Sequence, residues 1–527
     1  MMSQPEVEAV KNQSVWTDTA EMPAYPPLRE STRADVCIVG AGIAGLTTAY
    51  LLSQAGKSVV ILDDGPLAGG ATQVTTAHLS NAIDARYFEI ERLHGERGAQ
   101  LTAESHTAAI NRIATIAKNE KIDCDFERLD GYLFLAAGEK EELLDRELAA
   151  ARRAGLAEVE KVVFAPFSSC DTGPCLRFPN QGQFHPLKYL AGLAKAIERD
   201  GGRLFTQTHA DRIDGGPPAQ IKVGSHVVTA DAVVVATNTP INDLVAIHTK
   251  QAPYMTYVIA ARVPRGSVTK ALFWDTQDAY HYIRLQDMKN SGNGKGRSNE
   301  EDLLIVGGED HKTGQADDTD NRHARLEVWA RERFPKMGRV EYTWSGQVME
   351  SMDGLAFIGR NPADEKNVYI VTGDSGMGMT HGTIAGILLT DLILGRENPW
   401  AAVYDPSRKT LRAAGRFLSE NLNVAAQFGD WLTGGDVSSV NEIDAGNGAV
   451  LRQRLSKVAV YRDEKGVLYS CSATCPHLGC IVTWNDDEQT WDCPCHGSRF
   501  DRFGTVVSGP ANSNLTRMES PQEAPHN

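Results

Sequence analysis

The last hundred residues constrain this chain most. They read Cys475-Pro-His477-Leu-Gly-Cys480 and then Cys493-Pro-Cys495-His496-Gly-Ser498, with fifteen residues between His477 and Cys493. Two Cys–His pairs thus sit on two loops, with a spacer of one residue in the first and two in the second. Two chemistries use two thiolates and two imidazoles. A two-iron, two-sulfide cluster takes the thiolates on one iron and the imidazoles on the other, and the neutral imidazoles raise its reduction potential. A tetrahedral zinc site takes all four on one ion, but such sites usually open with cysteines two to four residues apart. The single residue between Cys475 and His477 is tight for zinc. The first chemistry makes this end of the chain a carrier of one electron at a time.

Residues 434–512 resemble the Rieske family of 2Fe–2S domains. The resemblance implies that Cys475, His477, Cys493 and His496 are cluster ligands. It also implies a disulfide between Cys480 and Cys495 that joins the two loops. Ser498 matches a serine that hydrogen-bonds a cluster sulfide in high-potential members. Phe500 stands where those members carry a tyrosine that bonds a ligand thiolate. Losing that donor leaves the reduced cluster less stabilised, so the expected potential is below that of the respiratory proteins. Gly509-Pro510-Ala511 resembles the loop that covers the cluster, although Asn512 and Ser513 follow where more proline is usual.

A second pattern lies near the other end. Ala34–Val39 is a short apolar run of the kind that forms a buried parallel strand. Gly40-Ala-Gly42-Ile-Ala-Gly45 follows, then a helical stretch from Leu46 to Ala55, then the apolar run Ser58–Leu62, which ends in Asp63. Strand, glycine turn, helix, strand and acid within thirty residues point to a dinucleotide. Gly40 permits the tight turn, Gly42 lets backbone approach a pyrophosphate, Gly45 lets helix and strand pack, and Asp63 can accept from ribose hydroxyls.

Five patches in order resemble the D-amino-acid oxidase superfamily of FAD enzymes over about residues 30–410. They are Gly69–Leu79, which includes Thr72, Thr75 and Thr76; Phe184-His185-Pro186; Val233–Pro240; Trp344–Gly359; and Gly373–Gly382, which includes Gly376, Gly378, Met379 and Thr380. The resemblance implies FAD, contacted by those threonines and by the last glycine loop. The apolar stretch 383–394 reads as a helix. Its N-terminus, aimed at flavin N1 and the C2 carbonyl, would stabilise the anion formed on reduction. A second glycine fingerprint for NAD(P)H is missing. The glycine-rich run 290–296 is polar, lacks a preceding buried strand, and reads as a hairpin tip.

The expected fold class is an α/β (α+β) FAD-binding Rossmann-like domain with a mixed-sheet substrate domain, plus a small all-β Rieske domain. The expected division is an N-terminal extension 1–33, an oxidoreductase unit 34–398, a helical linker 399–433, the cluster domain 434–512 and a tail 513–527. Within the oxidoreductase unit the flavin domain takes roughly 34–95, 170–240 and 345–398, and the substrate domain roughly 96–169 and 241–344. In the latter, Ala279–Leu285 alternates with strand period and pairs plausibly with Leu303–Gly314. Period two puts Tyr280, Tyr282 and Arg284 on one face and His281 on the other. If that face looks at the flavin, Arg284 is a candidate carboxylate clamp; a surface arginine paired with an acid is the alternative.

A net charge of −15 argues against nucleic acid and anionic membrane as partners. The sequence shows no apolar run of membrane-spanning length and no secretory signal, which points to the cytoplasm. There the outlying cysteines Cys37, Cys124, Cys170 and Cys175 are expected as free thiols, with a Cys170–Cys175 pair as the alternative, and a Cys480–Cys495 disulfide sits awkwardly. Together these readings imply an FAD-dependent dehydrogenase. An amine or amino acid gives hydride to FAD, electrons pass to the 2Fe–2S cluster, and an external one-electron acceptor, protein or quinone, takes them. The rivals are an electron carrier between protein partners without a small-molecule substrate, and a redox or ligand sensor. A Rieske oxygenase would need two nearby histidines for a mononuclear iron, and no two of the fourteen histidines lie within five residues of each other.

Overall fold

The computed structural model describes residues 10–167, 171–242, 247–288, 300–316, 318–362, 364–454 and 456–519. The expected hairpin tip at 290–296, Cys170, residues 1–9 of the N-terminal extension and residues 520–527 of the tail lie outside the described residues.

The first sheet forms around β1 (Thr32–Val39), whose Val36-Cys37-Ile38-Val39 run is buried on both faces. Such strands belong in parallel sheets covered by helices on both sides. β1 pairs in parallel with β2 (Val59–Leu62) and with the strand His226–Val235. The sheet extends through Arg203–Phe205 on one side, and through Val368–Thr372 and Phe357–Arg360 on the other. Helix α1 (Ile43–Gln54) leaves the end of β1, and helix α2 (Gly378–Ile393) follows Val368–Thr372. Both helices therefore start at the carboxyl edge of the parallel strands, where open α/β sheets bind ligands. They pack at backbone range. A Cβ at Gly382 would meet Ile43 Cγ2 at 2.6 Å, and one at Gly386 would collide with Thr47.

The second sheet is mixed and has ten strands among the described residues. Its long members are β3 (Gln251–Pro264), β4 (Tyr282–Asp287), β5 (Glu301–Lys312) and β6 (Val340–Ser351), in the spatial order β6-β3-β5-β4. Tyr282 sits opposite Gly307 and Ile283 opposite Val306, the pairing expected from the alternation. Successive side chains of β6 point to opposite faces. On one face, a Cβ at Gly346 would lie 3.1 Å from Val74, so this face looks at the glycine-turn unit. On the other, Gln347 reaches the C-terminal unit.

The C-terminal unit is all-β, with antiparallel sheets of three and four strands. Trp491, Phe500, Val482 and Tyr461 fill its core. Helix α3 (Ala414–Gln427) leads into it, and Val424 and Trp431 pack on that core. The expected fold class is the one observed. Among the described residues no helix is long and apolar enough to cross a membrane.

Candidate functional site: a nucleotide cradle facing a two-loop metal centre

Gly40 turns the chain with φ +105°, and a Cβ at Gly45 would collide with the Gly40 carbonyl. Helix α1 thus rests directly on the turn. Asp63, at the end of β2, accepts from the Ala41 N–H (2.7 Å) and the Gly65 N–H (2.9 Å). Burial raises its pKa, and those two donors oppose the rise. Thr72 Oγ1 accepts from the Ile43 N–H at 3.2 Å. Thr75 Oγ1 accepts from the Ala77 N–H (3.1 Å), and Thr76 Oγ1 meets His78 Nδ1 (3.0 Å). In the second loop, Thr380 Oγ1 meets His106 Nδ1 at 2.9 Å and Met379 is buried. Neither Gly42 nor Met377 caps its helix with a side chain. Apart from the Ile43 N–H taken by Thr72, the first turns of α1 and α2 therefore present N–H groups free of side-chain caps and partial positive charge, which suits a pyrophosphate and a group that becomes anionic.

The two metal loops have matched hydrogen bonding. Cys475 N donates to Cys480 O and Gly479 N to Cys475 O; Cys493 N donates to Ser498 O and Gly497 N to Cys493 O, all at 2.8–3.0 Å. A disulfide joins Cys480 to Cys495, Cα to Cα 6.4 Å. Cys493 Sγ lies within 4.8 Å of both of its sulfurs, but bonded half-cystines are not ligands. Cys475, Cys493, His477 and His496 are the remaining thiols and imidazoles on the two loops that could hold a metal centre. The Cys475 and Cys493 thiols hydrogen-bond each other, which lowers the pKa of Cys475 and raises that of Cys493. The imidazoles of His477 and His496 stand perpendicular with centroids 5.0 Å apart. His496 Nδ1 is sealed from solvent without a hydrogen-bond partner, as a ligand atom awaiting metal would be. The Ala511 N–H donates to Ser498 Oγ at 3.1 Å, so the Gly509–Ala511 loop lies against these turns.

Both imidazoles are nearly buried, at 9 % and 6 % exposure, and the oxidoreductase unit covers them. The His248 ring stands 4.9 Å from that of His477 and 6.3 Å from that of His496. Gln347 Nε2 donates to the Gly497 carbonyl at 2.9 Å. A Cβ at Gly497, whose φ is +76°, would collide with Pro253. Only glycine allows the second metal loop to approach this closely.

A family model, FAD dependent oxidoreductase, matches residues 35–392, and a second, Rieske [2Fe-2S] domain, matches 433–519. The chain belongs to the FAD dependent oxidoreductase family. It carries a Rieske domain at its C-terminal end. The putative Rieske 2Fe-2S iron-sulfur protein YhfW of Bacillus subtilis is 31% identical over 511 residues, covering 96% of this chain and 97% of that one. The gamma-glutamylputrescine oxidoreductase of Escherichia coli is 27% identical over 74% of this chain and 91% of its own. The crystal structure of glycine oxidase from Geobacillus kaustophilus matches with a TM-score of 0.59 at 18% identity, covering 72% of this chain and 99% of that one. The chain is thus an FAD-dependent oxidoreductase with a Rieske 2Fe–2S centre, and the donor sets above fit both groups.

The strand residues expected to face the flavin are placed as follows. Tyr280 donates to Asp84 Oδ2 at 2.7 Å, and the Tyr282 hydroxyl meets Thr256 Oγ1 at 2.6 Å. Their rings lie 5.5 Å apart. His281 turns to the other side and stacks on Trp329. Arg284 is neither an open clamp nor a surface residue. It is fully buried, its Nη1 donates to the Thr76, Ala77 and Phe184 carbonyls, and its Nη2 donates to Gln286. The guanidinium ties the Thr76–Ala77 segment to the sheet through Nη1, while its Nε is buried without a partner.

Sequence reading missed four carboxylates here. Asp84, Asp310, Glu350 and Asp374 come from four separate segments and cluster around Tyr280 and the loop before α2. Burial pushes Asp84 and Asp374 up to about 6, Asp310 to about 7 and Glu350 to about 8; repulsion from neighbouring acids adds to the rise at Asp374, Asp310 and Glu350, while Tyr280 and Arg86 oppose it at Asp84. One signal was available: Asp310 and Glu350 are acids near the ends of long, largely apolar strands.

Proposed function

We propose that this protein is an amine dehydrogenase whose electrons leave through its own Rieske centre. FAD is held by the Gly40–Gly45 turn, Asp63, Thr72, Thr75, Thr76 and the Gly376–Thr380 segment; the cluster is held by Cys475, His477, Cys493 and His496. FAD supplies a two-electron acceptor and the cluster a one-electron exit. The substrate carbon loses a hydride and its nitrogen a proton, giving an imine that water hydrolyses to a carbonyl compound and an amine. Two equivalents of an external one-electron acceptor, protein or quinone, receive the two electrons. The residues of this chain orient the substrate and exclude water: Tyr280 and Tyr282 wall the substrate face, and the first turn of α2 stabilises negative charge beside it.

The observation that carries this reading is the burial of both cluster imidazoles against the oxidoreductase unit, under His248 and the Gln347–Gly497 hydrogen bond. A carrier serving two outside proteins would keep that edge open. The relatives named above add support, since one is an oxidoreductase of an amine derivative and another has the fold of an amino-acid oxidase.

Cys493→Ser tests it. Anaerobic bleaching of the flavin by substrate should survive, because hydride transfer does not need the cluster. Steady turnover with a one-electron acceptor should fall by orders of magnitude. Unchanged turnover would refute the route and make the Rieske domain structural. FAD content and thermal melting of the variant separate loss of the route from misfolding.

A further inference from the structure

Helix α3 carries polar side chains inward and apolar ones outward. Glu420 pairs with Lys312 at 2.7 Å, the Asn421 amide donates to the Thr249 carbonyl at 3.0 Å, and Gln315 Nε2 donates to Asn423 Oδ1 at 2.8 Å. On the opposite side Ala414, Leu418, Leu422 and Ala425, spaced by four and three, form one stripe, and all four are exposed. Leu418 is 59 % exposed and Leu422 60 %. Leu411, just before the helix, is 84 % exposed, and the rings of Phe417 and Phe428 are exposed as well. A helix on a globular surface normally buries its apolar face and shows its polar one. Here no residue of α3 is buried.

The charge along the same stretch is as lopsided. From 406 to 429 the cations are Arg408, Lys409, Arg412 and Arg416, and the one acid is Glu420. Arg408 is buried against Asp353 and Glu420 is held by Lys312, so the charges left exposed, on Lys409, Arg412 and Arg416, are all positive. Arg412 donates to the Arg92 carbonyl at 2.7 Å, and none of the three makes an ion pair among the described residues. They lie before the helix and in its first turn, where no side chain caps the helix and no acid stands. The helix dipole disfavours cations at that end and favours an anion.

We propose that α3 and the turn before it dock this protein on the surface of an anionic lipid bilayer. The stripe enters the acyl boundary, and Lys409, Arg412 and Arg416 meet phosphate headgroups. Helices that lie in a bilayer interface have this make-up, apolar along one face with cations beside it. A second copy of the chain would bring the same three cations and no exposed acid from this stretch. The net charge of −15 does not prevent docking, because at physiological salt fields fade over about 8 Å and headgroups sense the nearest charges. Just past Phe428, Trp431 Nε1 donates to the Gly479 carbonyl at 2.9 Å. The docked stretch therefore ends against the first metal loop and holds the cluster domain near the membrane. The proposal is independent of which substrate the flavin oxidises.

The experiment is co-sedimentation of the full-length holoprotein with vesicles of phosphatidylglycerol and phosphatidylcholine in equal parts, and with vesicles of phosphatidylcholine alone. The chain should bind the first about a hundredfold more tightly, the attraction of three cations for headgroups, and added salt should release it. Lys409→Gln and Arg412→Gln should each weaken binding about fivefold. The double variant Leu418→Ser, Leu422→Ser should weaken it about tenfold or more. Its FAD content, iron content and melting temperature should stay those of the wild type, since both side chains are exposed. Binding to neither vesicle, equal binding to both, or full binding by the double variant would overturn the proposal. A wild type that is dimeric, ignores vesicles and becomes monomeric in the double variant would also overturn it, and would make the stripe an interface between copies.

Discussion

Glu350→Gln should stabilise this protein at alkaline pH and do nothing at acid pH. Glu350 titrates near 8 rather than at the usual 4.5, because it is buried and faces Asp84, Asp374 and Asp310, with Arg416 as a partial counterweight. The other charged and titratable neighbours of the cluster are Arg86 beside Asp84, Arg322 and Asp278 beside Asp310, and Tyr254, which faces Glu350, Glu420 and Arg416. A folded-state pKa raised above the unfolded value means that the folded state holds the proton longer. Stability then falls as pH rises through the window from about 4.5 to about 8. At ~1.4 kcal/mol per unit the full shift is worth at most about 5 kcal/mol. Glu350 keeps some contact with solvent, and an effective dielectric of about 20 brings the expected effect to roughly 1–2 kcal/mol. Glutamine keeps the shape and cannot ionise. The variant should therefore melt about 1–2 °C higher than wild type at pH 9 and equally at pH 5. Melting followed by flavin release across that pH range measures it. A gain of the same size at both ends, or a loss at pH 9, would show that Glu350 is not held as a strained acid.

Three further outcomes follow from the same geometry. The purified protein should hold two irons and two labile sulfides per chain, and His496→Ala should abolish the reduced-cluster EPR signal; one zinc without sulfide would end the Rieske assignment of the four ligands. Phe500→Tyr places a hydroxyl on a fully buried ring of the cluster domain. A charge-assisted hydrogen bond of roughly 1.5–3 kcal/mol, at about 59 mV per 1.4 kcal/mol for one electron, gives a rise of about 60–130 mV in direct titration; no rise with an intact signal would mean the ring points elsewhere. Gly45→Ala drives a methyl into the Gly40 carbonyl. It should empty the protein of FAD while leaving the iron content intact, and full FAD occupancy would argue against the turn as the pyrophosphate site.

What could be read from the sequence was whatever chemistry is contiguous in it. The glycine turn, the acid at Asp63 and the two metal loops each lie within one short segment, and a local rule connects residue type to geometry. The pairing of β4 with β5 was legible because alternation fixes register. Arg284 shows where that reasoning stops. Strand period assigned its face, but depth depends on what lies above the sheet, and there the Thr76–Ala77 backbone and Phe184 take its donors. The acidic cluster was invisible for a related reason. Asp84, Asp310, Glu350 and Asp374 are brought together by the packing of two sheets, and no spacing in the chain records that. His248 and Gln347 were missed because nothing in their neighbourhoods announces contact with a loop 150 residues or more away.

Strand β6 explains how one chain can keep the two redox groups apart and still connected. Gln347 and Glu350 are three positions apart, so the pleat sends them to opposite faces. Glu350 joins the carboxylates around the α2 loop, and Gln347 holds the Gly497 carbonyl of the second metal loop. Met349 lies between them, and its carbonyl accepts from the Ser375 N–H of that same α2 loop at 3.1 Å. The face that carries Glu350 and the face that meets the C-terminal unit are therefore the two sides of one sheet, and the loop before α2 is hydrogen-bonded to it. This arrangement also limits where an outside acceptor can approach. The imidazole edge is closed by His248, whereas Leu478, next to His477 on the first loop, keeps 37 % exposure. On the route proposed above, electrons entering through the imidazoles would leave by another side of the cluster, and an acceptor would dock away from the oxidoreductase unit.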